Sequence, residues 1–218
     1  MPKRPTSRLR KTVIEPNPPI YFIRHGETDW NLEGRIQGQI DIPLNDNGHQ
    51  QAIAISRGLK SFLRDTKIDL FIVSPLTRTR QTMGYLLREF DQPENRAETE
   101  PAMLELAFGI WEGHYFKDLK TNPHYPKDLA ERFHWRPEDG ESYEEGLERI
   151  RQWIGRLDGP TVIVAHGAIG RCLIGLVSGL SPAVLVKAPT PQGHFCRLQD
   201  GHIDWFDTDG NLAGDFRE

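Results

Sequence analysis

A chain of 218 residues with 37% apolar and 27% charged side chains is long enough for one globular domain with a substantial core, and its composition excludes a fibrous or disordered protein. A net charge of −4 removes any general electrostatic reason to bind nucleic acid, so an anion would have to be recognised at a local site. No apolar run is long enough to cross a membrane, and Cys172 and Cys196, each inside an apolar segment, fit buried thiols in a reducing, cytoplasmic setting better than a disulfide framework.

Residues 1–19 carry Lys3, Arg4, Arg8, Arg10 and Lys11 against Glu15, with several prolines and no apolar stretch of signal-peptide type, which predicts a flexible basic arm. Ile20-Tyr21-Phe22-Ile23 then reads as a buried strand that stops at Arg24-His25-Gly26-Glu27-Thr28, placing an arginine and a histidine together at the strand's carboxyl end. Asn45-Asp46-Asn47-Gly48 marks a helix start, and Ala52, Ile55, Leu59, Phe62 and Leu63 form the apolar face of a helix over about 46–64. A strand at Leu70–Val73 follows. Ser74-Pro75 reads as a cap and first-turn proline for a helix over about 75–89, with Arg78 in its first turn.

The alternation then breaks. Five prolines between 91 and 141, with Phe108, Trp111, Tyr115, Phe116, Tyr125, Phe133 and Trp135 among them, predict a folded aromatic insertion or lid, at about 101–141, with short helices. Ser142-Tyr143-Glu144-Glu145 has the form of a capping box, and Tyr143, Leu147, Ile150, Ile154 and Leu157 make the helical face behind it. Thr161–Ala165 is a fully apolar strand of the buried parallel type, followed at once by His166-Gly167 and another amphipathic helix. Phe195 to Leu198 and Ile203 to Phe206, around Asp200-Gly201, read as a closing hairpin, with a tail over 211–218. The expected fold is a single-domain α/β three-layer sandwich over 20–210, a mostly parallel sheet with helices on both faces. In such a sheet His25 and His166, each at a strand end and each followed by glycine, meet with Arg24 and Arg78 at one crevice.

Five blocks resemble the histidine phosphatase superfamily, which also holds the cofactor-dependent phosphoglycerate mutases. They are Arg24 to Thr28 with Trp30-Asn31, Gly34 to Gly38 with Asp41 and Pro43-Leu44, Ser74 to Arg78 with Gln81-Thr82, Glu105 within Leu104 to Gly113, and Val164 to Gly167. The resemblance implies His25 as a nucleophile that becomes phosphohistidine and Glu105 as proton donor. It implies Arg24, Asn31, Arg78 and His166 as the phosphate pocket, with Thr28, Gln37 and Gly167 beside it. It implies no metal and no cofactor, and a small phosphorylated metabolite as partner. Glu112 competes with Glu105, and the family match favours Glu105. His114 stands close enough in sequence to approach the pocket.

The chemistry makes demands on these groups. A neutral imidazole attacks phosphorus when its other nitrogen is held as a donor, while fixed cations meet the equatorial oxygens. His25 is therefore expected neutral and His166 charged when phosphate binds. Lysine is a poor substitute for the planar fork of Arg24 or Arg78. The resemblance implies hydrolysis over mutase chemistry, because the chain lacks the adjacent arginine pair that the mutases show after the acid block and Pro137 to Ser142, ending Gly140-Glu141-Ser142, looks more like the phosphatase branch. A non-catalytic module binding phosphorylated ligands stays open. So does a metal-dependent phosphoesterase, although Asp207-Thr208-Asp209-Gly210 has the wrong spacing for a calcium loop and reads as a turn.

Overall fold

Short β-branched and aromatic runs form the centre of the sheet. In a computed structural model, which describes residues 18–215, β1 (Ile20–Arg24) lies between β4 (Thr161–Ala165) and β5 (Phe195–Gln199). The order across the sheet is β3-β2-β4-β1-β5-β6-β7, where β2 is Leu70–Val73, β3 Ala97–Thr99, β6 His202–Phe206 and β7 Leu212–Asp215. β1, β4, β2 and β3 pair in parallel, whereas β5, β6 and β7 add on by antiparallel pairing. The sheet is thus mixed, with β5 and β7 running against the others. β3 falls in the proline-rich stretch, and β7 falls in the segment expected to be a tail. The basic arm lies outside the described residues, except that the carbonyl of Pro19 accepts from Thr161 N at 3.0 Å.

Strand side chains alternate between two cores. Phe22, Ile72 and Ile163 pack under α6 (Tyr143–Ile154), α7 (Gly167–Ser178) and α8 (Pro182–Leu185). Tyr21, Ile23, Phe71, Val73, Val162 and Val164 pack under α2 (Asp46–Leu63) and α3 (Thr77–Glu89). Each large apolar side chain removed from water contributes about 1.5–3 kcal/mol. β4 is buried at all five positions, so it anchors both layers at once.

The starts of α2 and α6 follow local chemistry, and that of α3 does not. Asn45 caps α2 by accepting from Gly48 N at 2.8 Å, and Ser142 with Glu145 closes the capping box of α6. The helix expected from residue 75 begins at Thr77, and Ser74 does not cap it. Its cap comes from elsewhere: the Asp41 carboxylate accepts from Thr77 N and Thr77 Oγ1, both at 2.7 Å. α6 stops at Ile154 with Gly155 as its cap, so Leu157 joins the core from a turn and not from the helix face. The aromatic insertion carries short helices at Phe116–Thr121 (α4) and Leu129–His134 (α5), and another short helix, α1, spans Asp29–Glu33.

The connections create a crevice. β1 and β4 are neighbours, but the helix after β1 goes to one face of the sheet and the helix after β4 goes to the other. Their carboxyl ends are left open between the two layers, where α/β sheets hold ligands. No helix among the described residues is long and apolar enough to cross a membrane.

Candidate active site

Strand register builds the site. Arg24 pairs with Ala165, so the next residue of each strand is a histidine, and the backbone locks there: His25 N donates to Ala165 O at 3.0 Å and Ser74 N to Val164 O at 3.1 Å. The rings of His25 and His166 stand 5.2 Å apart, edge to face. Gly26 is required by close approach, since a Cβ there would lie 2.3 Å from Gly48 O, and one on Gly48 would lie 2.0 Å from Glu27 O. The turn behind His25 is thereby pressed onto the first turn of α2. Glu27 reinforces that contact by accepting from Asn45 and Asn47 side chains at 3.0 and 3.1 Å.

Hydrogen bonds fix the tautomers of both histidines. His25 Nδ1 lies 2.7 Å from Gly26 O, and a carbonyl only accepts, so Nδ1 carries the hydrogen and Nε2 keeps its lone pair. Burial, and then the charges of Arg78 and Arg24, push the His25 pKa well below 6.5. His166 Nδ1 accepts from Arg78 Nε at 3.2 Å, leaving Nε2–H to donate to Ser74 Oγ at 2.7 Å. Burial and Arg78 push its pKa well below 6.5 too. His166 thus stands neutral, because a buried imidazole next to two guanidinium groups gains nothing from a further positive charge, and the charged form expected of it belongs to the phosphate-bound site. Ser74, read from sequence as a helix cap, is its partner.

Arg78 is 1% exposed and gives three of its donors to protein: His166 Nδ1, Ile40 O and Gly38 O, the last two at 2.8 Å. Burial lowers its pKa to about 10, with Glu105 and Asp41 opposing the drop, so it stays charged at neutral pH. Gly38 presents its carbonyl from a left-handed backbone, φ 53°, in a loop clamped by Glu112, whose Oε1 accepts from Gln39 N and Phe108 N at 3.0 Å. Glu112, the competitor for the acid role, is thus committed to holding the loop. Arg24 donates from Nη1 to Thr190 O at 3.1 Å, while its buried Nε has no partner among the described residues. Burial lowers its pKa, and Glu105 counteracts this.

Glu105 reaches the start of α7. Its Oε1 accepts from Ile169 N at 2.8 Å and Leu106 N at 3.0 Å, and its Oε2 accepts from Ala168 N at 3.0 Å. Asn31 is oriented just as firmly. Its Oδ1 takes donors from Thr28 N, Thr28 Oγ1 and Gln192 Nε2 at 3.0–3.2 Å, so its amide nitrogen is the end left for a ligand.

A cavity of about 190 Å³ collects Arg24, His25, Asn31, Gln37, Arg78 and Glu105, with Arg35, Phe108 and Phe116 at its walls. Gln37 Oε1 is buried with no partner among the described residues. Three expected pocket members lie back from it. His166 supports Arg78 from behind. Thr28 caps α1 and orients Asn31, and Gly167 borders the Arg24 guanidinium. His114 is exposed and meets the Trp111 ring edge to face at 5.7 Å. Asp207 accepts from Asp209 N and Asn211 N, both at 2.9 Å, which makes the acidic segment a turn. Gln192, which also donates to His25 O at 3.2 Å, had no signal in its irregular segment.

Geometry of this kind defines an α/β protein with two buried guanidinium groups beside a neutral imidazole at the carboxyl edge of its sheet. A family profile for the histidine phosphatase superfamily (branch 1) matches residues 20–205. The chain belongs to that superfamily. It is 30% identical over 180 residues to a 2,3-bisphosphoglycerate-dependent phosphoglycerate mutase of Beijerinckia indica, covering 76% of this chain and 84% of that one. It is 29% identical over 163 residues to an uncharacterized phosphatase of Bacillus subtilis, covering 75% and 79%. Its fold is shared with a solved mycobacterial glucosyl-3-phosphoglycerate phosphatase at a TM-score of 0.72 and 24% identity, over 86% of this chain and 96% of that one.

Proposed function

We propose that this protein hydrolyses a phosphomonoester of a small metabolite, without a metal, through a phosphohistidine at His25. The observation that carries this reading is the Nδ1–H to Gly26 O bond, which leaves the Nε2 lone pair of His25 in a cavity with Arg24 and Arg78. Nε2 attacks phosphorus, the bond to the leaving oxygen breaks, and Glu105 gives that oxygen its proton. The carboxylate then takes a proton from water as it attacks phosphohistidine, releasing phosphate and restoring neutral His25. Oε1 of Glu105 has both lone pairs engaged and Oε2 only one, so Oε2 is the oxygen that carries the proton.

Asn31 and the free donors of the two arginines meet the equatorial oxygens, where charge builds up in the transition state. His166 acts through Arg78: its Nδ1 fixes the rotation of the guanidinium. Hydrolysis is favoured over phosphoryl return because the chain lacks the adjacent arginine pair that the mutases of this superfamily show after the acid block. Identity to the mutase and to the phosphatase is nearly equal and does not choose between them.

The test is His25→Ala against wild type, with EDTA present. Turnover of phenyl phosphate and acid-labile phosphate on the protein should both vanish in the variant. Survival of either overturns the nucleophile assignment. Isomerisation of 3-phosphoglycerate by wild type faster than its hydrolysis overturns the hydrolase reading.

A further inference from the structure

Phe108 and Phe116 wall two cavities at once, the one with His25 and a neighbouring chamber of about 270 Å³. The chain passes from one to the other within a single peptide, for Glu105 lines the first and Leu106 the second. Tyr125 and Trp135 supply further flat surface, edge to face at 5.0 Å.

The charged rim of this chamber is almost all of one sign. Lys120, Arg132, Arg171 and Lys187 line it, and none forms an ion pair among the described residues. Glu141, its one carboxylate, is already held by Arg149 at 3.0 Å and by Ala107 N at 3.0 Å. Arg171 is built in: Nε donates to Ala188 O and Nη1 to Tyr143 OH, both at 2.9 Å. Arg132 is propped over the Tyr125 ring at 4.8 Å, with Nε on Pro126 O. Cations gathered round an apolar pocket repel one another and are relieved by an anion. Ring walls reward a flat or apolar body.

We propose that this chamber receives the alcohol half of the phosphomonoester, and that this half carries a second anionic group on an apolar or planar body. The proposal rests on the phosphomonoesterase reading above. It places the leaving oxygen at the Glu105–Leu106 junction, with the transferred phosphoryl group on one side and the second anion against Arg171 on the other.

The experiment compares kcat/KM for phenyl phosphate and 4-carboxyphenyl phosphate in wild type, Arg171→Met and Lys187→Met. Wild type should prefer the carboxylated ester by about tenfold or more, the range of hydrogen bonds to charged groups. Arg171→Met should abolish that preference. Lys187 is exposed and its side chain has no hydrogen bond among the described residues, so Lys187→Met keeps the test alive if the first variant misfolds, and it should reduce the preference. Equal use of both esters by wild type overturns the proposal and leaves the phosphatase reading standing. A preference that survives in every folded variant removes it from this chamber. Hydrolysis of neither ester overturns the phosphatase reading, and this proposal with it.

Discussion

At the scale of single residues, three backbone N–H groups converge on one carboxyl and three protein acceptors converge on one guanidinium. In the proposed reaction the proton donor and one phosphate-binding cation are thereby held before the phosphoryl group arrives, which is where phosphoryl-transfer catalysis has most to gain. Glu105→Gln should lower kcat/KM for alkyl phosphates by about 10²–10⁴, the usual share of a general acid, with a much smaller loss for aryl phosphates bearing good leaving groups. Equal losses on both would point to a different donor. The same variant sets an amide NH₂ against one of the N–H donors, so its urea midpoint should fall as well, by about 1–3 kcal/mol of stability. His25, His166 and Arg24 are legible because each sits at or just past a strand end, and Arg78 because it falls in the first turn of the helix after β2. Gln192 is not, because its hold on Asn31 and on the His25 carbonyl comes from 161 and 167 residues away and leaves no periodicity behind.

Elements show the same division between near and far. Caps supplied by neighbours in sequence, Asn45 for α2 and Ser142 for α6, stand where local chemistry puts them. α3 departs from the pattern because Ser74 is drawn to His166, and the freed helix start takes Asp41 from 36 residues upstream. A local signal cannot weigh a buried histidine against a helix terminus when it does not yet know that the histidine is there. Since Arg78 follows Thr77 directly, this remote cap also sets where the guanidinium begins. Asp41→Ala should cost about 0.5–2 kcal/mol by urea denaturation and raise KM for phenyl phosphate, while Asp41→Asn, still an acceptor, should restore most of both. An alanine variant with unaltered stability and KM would show that the cap is dispensable.

For the whole molecule, two wholly buried neutral imidazoles tie folding to pH. Both pKa values lie well below 6.5 in the folded chain, so between those values and 6.5 the unfolded chain binds more protons than the folded one. Stability is complete above 6.5 and declines as pH falls below it, by about 1.4 kcal/mol per pH unit for each histidine. Urea midpoints between pH 7 and pH 5 should follow that slope, and His25→Asn should remove about half of it. A flat profile would mean the imidazoles are not held neutral. For the same reason the acid limb of kcat/KM should lie well under 6.5. The alternation of strands and helices made the crevice foreseeable. The order of the strands was not, since pairing β4 between β1 and β2 depends on the packing of both faces and not on any run of residues.

β5 travels against β1, so the turn it makes at Asp200-Gly201 lies beyond Ile20, at the opposite pole from His25. Both turn residues are solvent-facing and already adopt the left-handed backbone, φ 52° and 78°. A peptide tag spliced between them should leave phenyl phosphate turnover and the urea midpoint as they are, giving a handle for surface immobilisation that keeps the mouth of the crevice facing the solution.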